Sequence, residues 1–303
     1  MQTTSHLLMI KPVNFGFNQE TAVNNAFQVA GHSELAQQKA KTEFENFVKK
    51  LTVYGIDVTV VEDTPEPYTP DSIFPNNWIS FHSDNTICLF PMFAENRRKE
   101  RKPNVIDAVR QKFKITDTVD FTHYESENKF LEGTGSMILD RENNIAYACL
   151  SPRTNQEVFD RFCEKMNFKG ISWTSLDDKG GEVYHTNVVM CVADKYVIIC
   201  LDTIKDAKER EFVAKTITNS GKEIIEITTK QMNNFAGNML QVQNNKGVPF
   251  LVMSSRAFRS LAREQVSRIK SYNDIIDSEL ETIENNGGGS ARCMLAEIFL
   301  QFK

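Results

Sequence analysis

The chain has 303 residues, 41% of them hydrophobic and 25% charged, ordinary proportions for a soluble globular protein that exclude disorder, collagen and small disulfide scaffolds. Its net charge is -5 and its densest basic cluster, Arg97-Arg98-Lys99 with Arg101-Lys102, is broken by Glu100, so a nucleic-acid partner is not expected. There is no membrane-length apolar run and no signal-peptide pattern at the start, and the six cysteines form no CxxC pair; the expectation is a cytoplasmic protein with buried free thiols, no membrane contact and no disulfides.

In chain order, HLLMIKP at 6–12 reads as a strand. The segment 13–32 is left open between a plain connection and a lid. Residues 33–53 show apolar positions at three- and four-residue spacing and predict a helix that Gly55 stops, followed by a strand in GIDVTVVE at 55–62. Next come hairpins. FPNNWISF (74–81) leads through SDN to TICLF, and LEGTGSMIL (131–139) through RENN to IAYACL. A helix is predicted at 155–167. YHTNVVMCV (184–192) then leads through ADK to YVIICL, followed by a helix at 206–219 and a strand in KEIIEIT at 222–228. FAGNMLQV (235–242) leads through NNKG to PFLVM, and a helix is predicted at 255–271. GGGSARCMLAEI (287–298) supplies one last strand.

These hairpins are copies of one unit. Aligning Asn77, Gly135, Asn187, Asn238 and Cys293 gives intervals of 58, 52, 51 and 55 residues, a repeat of supersecondary size. The unit is strand, strand, helix, strand. The fifth copy lacks its later strands, and 6–12 has the pattern of the missing partner. The predicted fold is therefore α/β: a five-bladed propeller of five ββαβ units around a pseudo-five-fold axis, forming one domain over 1–303, closed by pairing the two ends of the chain.

Closure brings equivalent turns to one end of the axis. Glu132, His185 and Cys293 each fall in such a turn, as do Asn76 and Asn77. Taken singly, Cys293 reads as a buried small hydrophobe, His185 as a structural or surface histidine, and Glu132 as a solvated or capping carboxylate. Brought together in register, the carboxylate, imidazole and thiol are the parts of nucleophilic catalysis by cysteine. Gly287-Gly288-Gly289 just before Cys293 permits close backbone approach to a ligand.

The motifs DSIFPNNW (71–78), NRRKER (96–101), LEGTGS (131–136), LSPRTN (150–155), YHTN (184–187) and GGGSARCMLAE (287–297) together resemble the guanidino-group modifying (pentein, amidinotransferase-like) superfamily over nearly the whole chain. That superfamily includes arginine deiminases, dimethylarginine dimethylaminohydrolases and amidinotransferases. The resemblance is strongest to its citrulline-utilisation hydrolase branch. It implies Cys293 as nucleophile, His185 as general acid/base and Glu132 as the carboxylate that binds the planar substrate group. It further implies Asp71 at the amino-acid end of the substrate, and Arg153 with Arg97 or Arg98 on its carboxylate, which an arginine fork suits.

The family's acids are amides here. Deiminases resemble this chain except for an acid at Asn77 and at Asn187, and the dimethylarginine enzymes carry acids at both Asn76 and Asn77. A permanent guanidinium cation loses counter-charges at such positions, whereas a neutral ureido group needs both donors and acceptors, which amides supply. The expected activity is cysteine-dependent hydrolysis of citrulline to ornithine, ammonia and carbon dioxide, with no metal or organic cofactor. The alternatives are an arginine or methylarginine hydrolase, an amidinotransferase, and a non-catalytic pentein binding protein. The partner expected is a small ureido or guanidino amino acid; assembly into a homo-oligomer is left open.

Overall fold

The computed structural model describes residues 1–25, 27–28 and 33–303. The chain opens with β1 (His6–Lys11), the helix Ser33–Val53 and β2 (Asp57–Glu62). There follow β3 (Ile79–Phe81), β4 (Thr86–Leu89) and β5 (Asp117–Asp120), then β6 (Ile138–Asp140), β7 (Ile145–Leu150) and β8 (Lys169–Thr174). Next are β9 (Met190–Val192), β10 (Tyr196–Ile199) and β11 (Glu223–Glu226), β12 (Leu240–Gln243), β13 (Pro249–Ser254) and β14 (Asp274–Ser278), and finally β15 (Ala296–Glu297).

These strands form five three-stranded sheets of one pattern. In β3-β4-β5 the first pair is antiparallel and the second parallel, and the same holds for β6-β7-β8, β9-β10-β11 and β12-β13-β14. The fifth sheet combines both ends of the chain: β15 lies antiparallel to β1, with Leu7 opposite Glu297 and Leu8 opposite Ala296, and β1 runs parallel to β2. The hairpins turn where the sequence provides for it. Asn85 in SDN and Asn144 in RENN adopt φ of 67° and 52°, the left-handed region that asparagine tolerates best after glycine.

Parallel pairing requires a crossover, and helices supply it. Between β7 and β8 the helix Gln156–Met166 starts at Asn155, whose side chain accepts from the backbone N–H groups of Glu157 and Val158. Its face of Val158, Phe159, Phe162 and Cys163 packs with Cys88, Phe90, Phe121 and Leu131 in one apolar cluster. Neighbouring units meet through their first strands: β15 touches β3, β6 touches β9, and β9 touches β12.

Three elements differ from expectation. The helix expected over 255–271 is two, Ser255–Ser260 and Arg263–Lys270. Leu261 turns extended at ψ 142°, and Gln265 caps the second helix by accepting from the Ala262 N–H. A helix at Pro103–Lys112, opened by its proline, crosses from β4 to β5. The turns before the first strands are short helical turns: Pro75–Asn77, Gly133–Ser136, Thr186–Val189 and Ala291–Met294. No helix among the described residues is long and apolar enough to cross a membrane. All six cysteines are free and buried.

Candidate active site

The helical turns carry the site. The first packs against the second and the last, and the second against the third. His185 and Glu132 each immediately precede such a turn, while Cys293 and Asn77 lie within one. A cavity lined by Asp71, Phe74, Asn77, Arg97, Arg153, Tyr184, His185, Gly287–Gly289 and Cys293, with Thr21 and Asn25, sits where they meet. A roomier hollow lies beyond Tyr184 and Asn25, walled by Phe27, Phe235 and Arg256; it contains neither Cys293 nor His185.

His185 Nε2 lies 2.8 Å from Glu132 Oε2, both side chains buried. Glu132 is further held by the Phe93 N–H, which donates to Oε1 at 3.0 Å. Arg153 and Arg97 stand 3.6 and 3.7 Å from its Oε2. Burial alone would raise the Glu132 pKa, but Arg153, His185 and Arg97 outweigh it and hold the carboxyl well below its usual range. An ionised carboxylate only accepts, so His185 Nε2 carries the proton and Nδ1 is the free base. Burial lowers the His185 pKa to about 4, against the opposing pull of Glu132, so the imidazole is neutral at neutral pH. Gly135 is required by this packing: a Cβ there would stand 2.3 Å from Asn77 Nδ2 and 2.9 Å from the His185 ring.

Cys293 Sγ accepts hydrogen bonds from two amides, Asn187 Nδ2 at 3.3 Å and Asn238 Nδ2 at 3.2 Å. The remaining thiols, Cys88, Cys149, Cys163, Cys191 and Cys200, are pushed up to about 12 by burial.

Arg97 is fully enclosed, forking onto Glu100 at 2.9 and 3.1 Å and donating from Nη1 to Asn77 Oδ1 at 2.9 Å. Burial works against its charge, but Glu100, Asp71 and Glu132 more than compensate and raise its pKa. Because a guanidinium can only donate, Arg97 fixes the Asn77 amide with its oxygen toward Arg97. Asn77 Nδ2 then faces Gly135 and His185 and has no partner among the described residues.

The structure sorts the other predicted residues. Asp71 is buried; its Oδ2 accepts from Asn18 Nδ2 and Thr21 Oγ1 at 2.7 and 3.2 Å, and its Oδ1 has no partner among the described residues. Burial raises its pKa despite Arg97. Arg153 reaches the cavity but donates to the Thr21 carbonyl at 2.8 Å and to Asn24 Oδ1, beneath the Tyr184 ring. Asn187 stands at the sulfur, its Oδ1 without a partner among the described residues. Asn76 is buried beside the cavity, not in its lining; its carbonyl accepts from Thr134 and its side-chain amide has no partner among the described residues. Arg98 is a correction: it points away, donating to the carbonyls of Met92 and Phe93 and lying over the Phe130 ring. Within 13–32, Thr21 and Asn25 line the cavity; positions 26 and 29–32 lie outside the described residues. Asn238 was not among the predicted site residues, although the repeat alignment placed it at the position equivalent to Cys293.

Over residues 11–300 the chain matches the model of a family described as N,N dimethylarginine dimethylhydrolase, eukaryotic. No curated protein gives a significant match. Among solved structures, the N-terminal domain of ArgZ, an arginine dihydrolase from the ornithine–ammonia cycle in Cyanobacteria, is similar with a TM-score of 0.76 at 16% identity, covering 97% of this chain and 99% of that one. The chain spans 40% of the length of full-length ArgZ. A dimethylarginine dimethylaminohydrolase in adduct with S-methyl-L-thiocitrulline is similar with a TM-score of 0.64 at 15% identity, covering 98% of this chain and 100% of that one. At these identities the structural likenesses are likenesses of fold.

Proposed function

The chain belongs to the N,N-dimethylarginine dimethylhydrolase family, within the pentein superfamily of guanidino-modifying enzymes, and is a hydrolase of non-peptide C–N bonds; from that premise we propose that Cys293, His185 and Glu132 hydrolyse a ureido amino acid, citrulline. In this reading the five sheets are the blades of one closed propeller, a single catalytic domain over 1–303, working in the cytoplasm, where six buried free thiols stay reduced.

The observation that carries the substrate assignment is Arg97. The protein's own guanidinium lies within 4 Å of Asp71 and Glu132 and bonds Asn77; Glu132 and the position of Asn77 are where a substrate guanidinium would otherwise be held. A second permanent cation there meets Arg97 and the unpartnered N–H₂ of Asn77. A ureido oxygen accepts from that N–H₂, and a ureido N–H has Asn187 Oδ1 as acceptor. Asp71 Oδ1 takes the ammonium end and Arg153 the carboxylate, displacing Asn24 and Thr21.

In the first step the Cys293 sulfur attacks the ureido carbon. The thiol proton passes to His185 Nδ1 and on to the departing amine, releasing ornithine and leaving a carbamoyl thioester. Glu132 stabilises the transient imidazolium. In the second step His185 takes a proton from water, the hydroxide attacks the same carbon, the C–S bond breaks, and the sulfur regains the proton. The carbamate released decomposes to ammonia and carbon dioxide. No metal or organic cofactor enters either step.

A second reading, arginine or a methylarginine as substrate, is favoured by the buried anion of Glu132. The purified chain, given citrulline and arginine separately with products followed by mass spectrometry, is expected to yield ornithine and ammonia from citrulline and to leave arginine unchanged. Citrulline formed from arginine would overturn the ureido assignment. A new guanidino product on adding glycine would mark a transferase instead.

A further inference from the structure

Asn187 meets the proposed substrate only through Oδ1 and Asn238 not at all, yet both donate to the Cys293 sulfur. Asn187 and Asn238 are fully buried and both aim Nδ2 at Sγ, at 3.3 and 3.2 Å. The packing fixes the Asn238 orientation. Asn238 Oδ1 accepts from the Arg292 N–H at 3.0 Å, which turns Nδ2 toward the sulfur, and Nδ2 also donates to the Asn187 carbonyl at 3.0 Å. The three residues occupy equivalent positions of the third, fourth and fifth units, so the repeat itself delivers two amide donors and one thiol to the same point.

The sulfur must be anionic twice, when it attacks and when it departs from the second tetrahedral intermediate. A buried anion needs donors or a cation. A neutral ureido substrate brings no cation. The nearby guanidinium groups are already engaged: Arg97 with Glu100 and Asn77, and Arg153 with Asn24 and Thr21. The free ring nitrogen of His185 accepts the thiol proton but, until it does so, offers no charge.

We propose that Asn238, together with Asn187, forms a donor cradle for the Cys293 sulfur and is a catalytic residue of both half-reactions. The proposal rests on Cys293 being the nucleophile and on the reading of the substrate as a neutral ureido compound.

The test is Asn238→Asp in the full chain. Aspartate keeps the shape and the acceptor for the Arg292 N–H, but presents an acceptor in place of the donor at Sγ. Alkylation of Cys293 by iodoacetamide near neutral pH, followed on the Cys293 peptide, is expected to slow by about 10- to 100-fold, the loss of one hydrogen bond to a charged group. The alkylation profile moves to higher pH, and kcat falls by a similar factor with KM nearly unchanged. An alkylation rate and profile equal to those of the unsubstituted protein would overturn the proposal. Should the variant not fold, the unsubstituted protein decides: blocking Cys293 with methyl methanethiosulfonate must move two asparagine side-chain amide resonances, and movement of none contradicts the cradle. Cys293→Ser with turnover retained would defeat the nucleophile assignment itself, which keeps the two failures apart.

Discussion

Cys293→Ser is expected to abolish turnover, by on the order of 10⁵-fold or more, while the protein folds normally. The change exchanges one small buried atom for another. Asn187 and Asn238 donate to a hydroxyl oxygen as readily as to sulfur, so the local packing survives. What is lost is ionisation: a serine hydroxyl holds its proton far more tightly than a thiol, and the neutral imidazole of His185, its pKa lowered by burial to about 4, is too weak a base to remove it. Thermal unfolding should therefore match the parent while product formation from citrulline disappears. Activity within tenfold of the parent would remove Cys293 from the mechanism.

Glu132→Gln is expected to be damaging in two ways at once. The carboxylate accepts from the Phe93 N–H on one oxygen and from His185 Nε2 on the other. A carboxamide has a single oxygen, so one of these donors must face an N–H₂. The imidazole loses the partner that fixes its tautomer, and kcat should drop by about 10³- to 10⁴-fold, as when a catalytic histidine loses its carboxylate. Arg97 and Arg153 lose the anion at 3.7 and 3.6 Å. Breaking such a buried pair costs about 3–5 kcal/mol of stability, to be read from denaturant unfolding.

The pH dependence of that cost has a definite sign. Folding depresses the Glu132 pKa below its ordinary value of 4.5. Its contribution is therefore fully present above that value and is lost as the pH falls toward the folded-state pKa. The stability gap between parent and Glu132→Gln should be constant through neutral pH and close only on acidification below the ordinary carboxylate range. A gap that closes on the alkaline side would contradict the assignment.

Much of this was legible because the repeat is. The alignment of Asn77, Gly135, Asn187, Asn238 and Cys293 places these residues around one point, and the structure brings Asn77, Asn187, Asn238 and Cys293 there, with Gly135 against Asn77 and His185. The unpaired final strand and the apolar start of the chain foretold the β15–β1 pairing. Asn238 was overlooked because an amide does not titrate and advertises no chemistry; its place in the alignment was the signal. Arg97 and Arg98 could not be separated, since adjacent residues of a helical turn leave about 100° apart, and only the fold decides which one meets Glu132. The bend at Leu261 was hidden because apolar spacing continues through it. The contacts of Asn18, Thr21 and Asn24 with Asp71 and Arg153 join segments far apart in the chain with no periodic pattern to announce them.

The central claim, that a ureido carbon is transferred to Cys293, is tested most directly by rapid quenching of the protein with citrulline and mass analysis of the Cys293 peptide. The account predicts a carbamoyl group on that cysteine, formed and lost at rates compatible with turnover and absent from Cys293→Ser. An amidino adduct formed from arginine, with no adduct from citrulline, would contradict it.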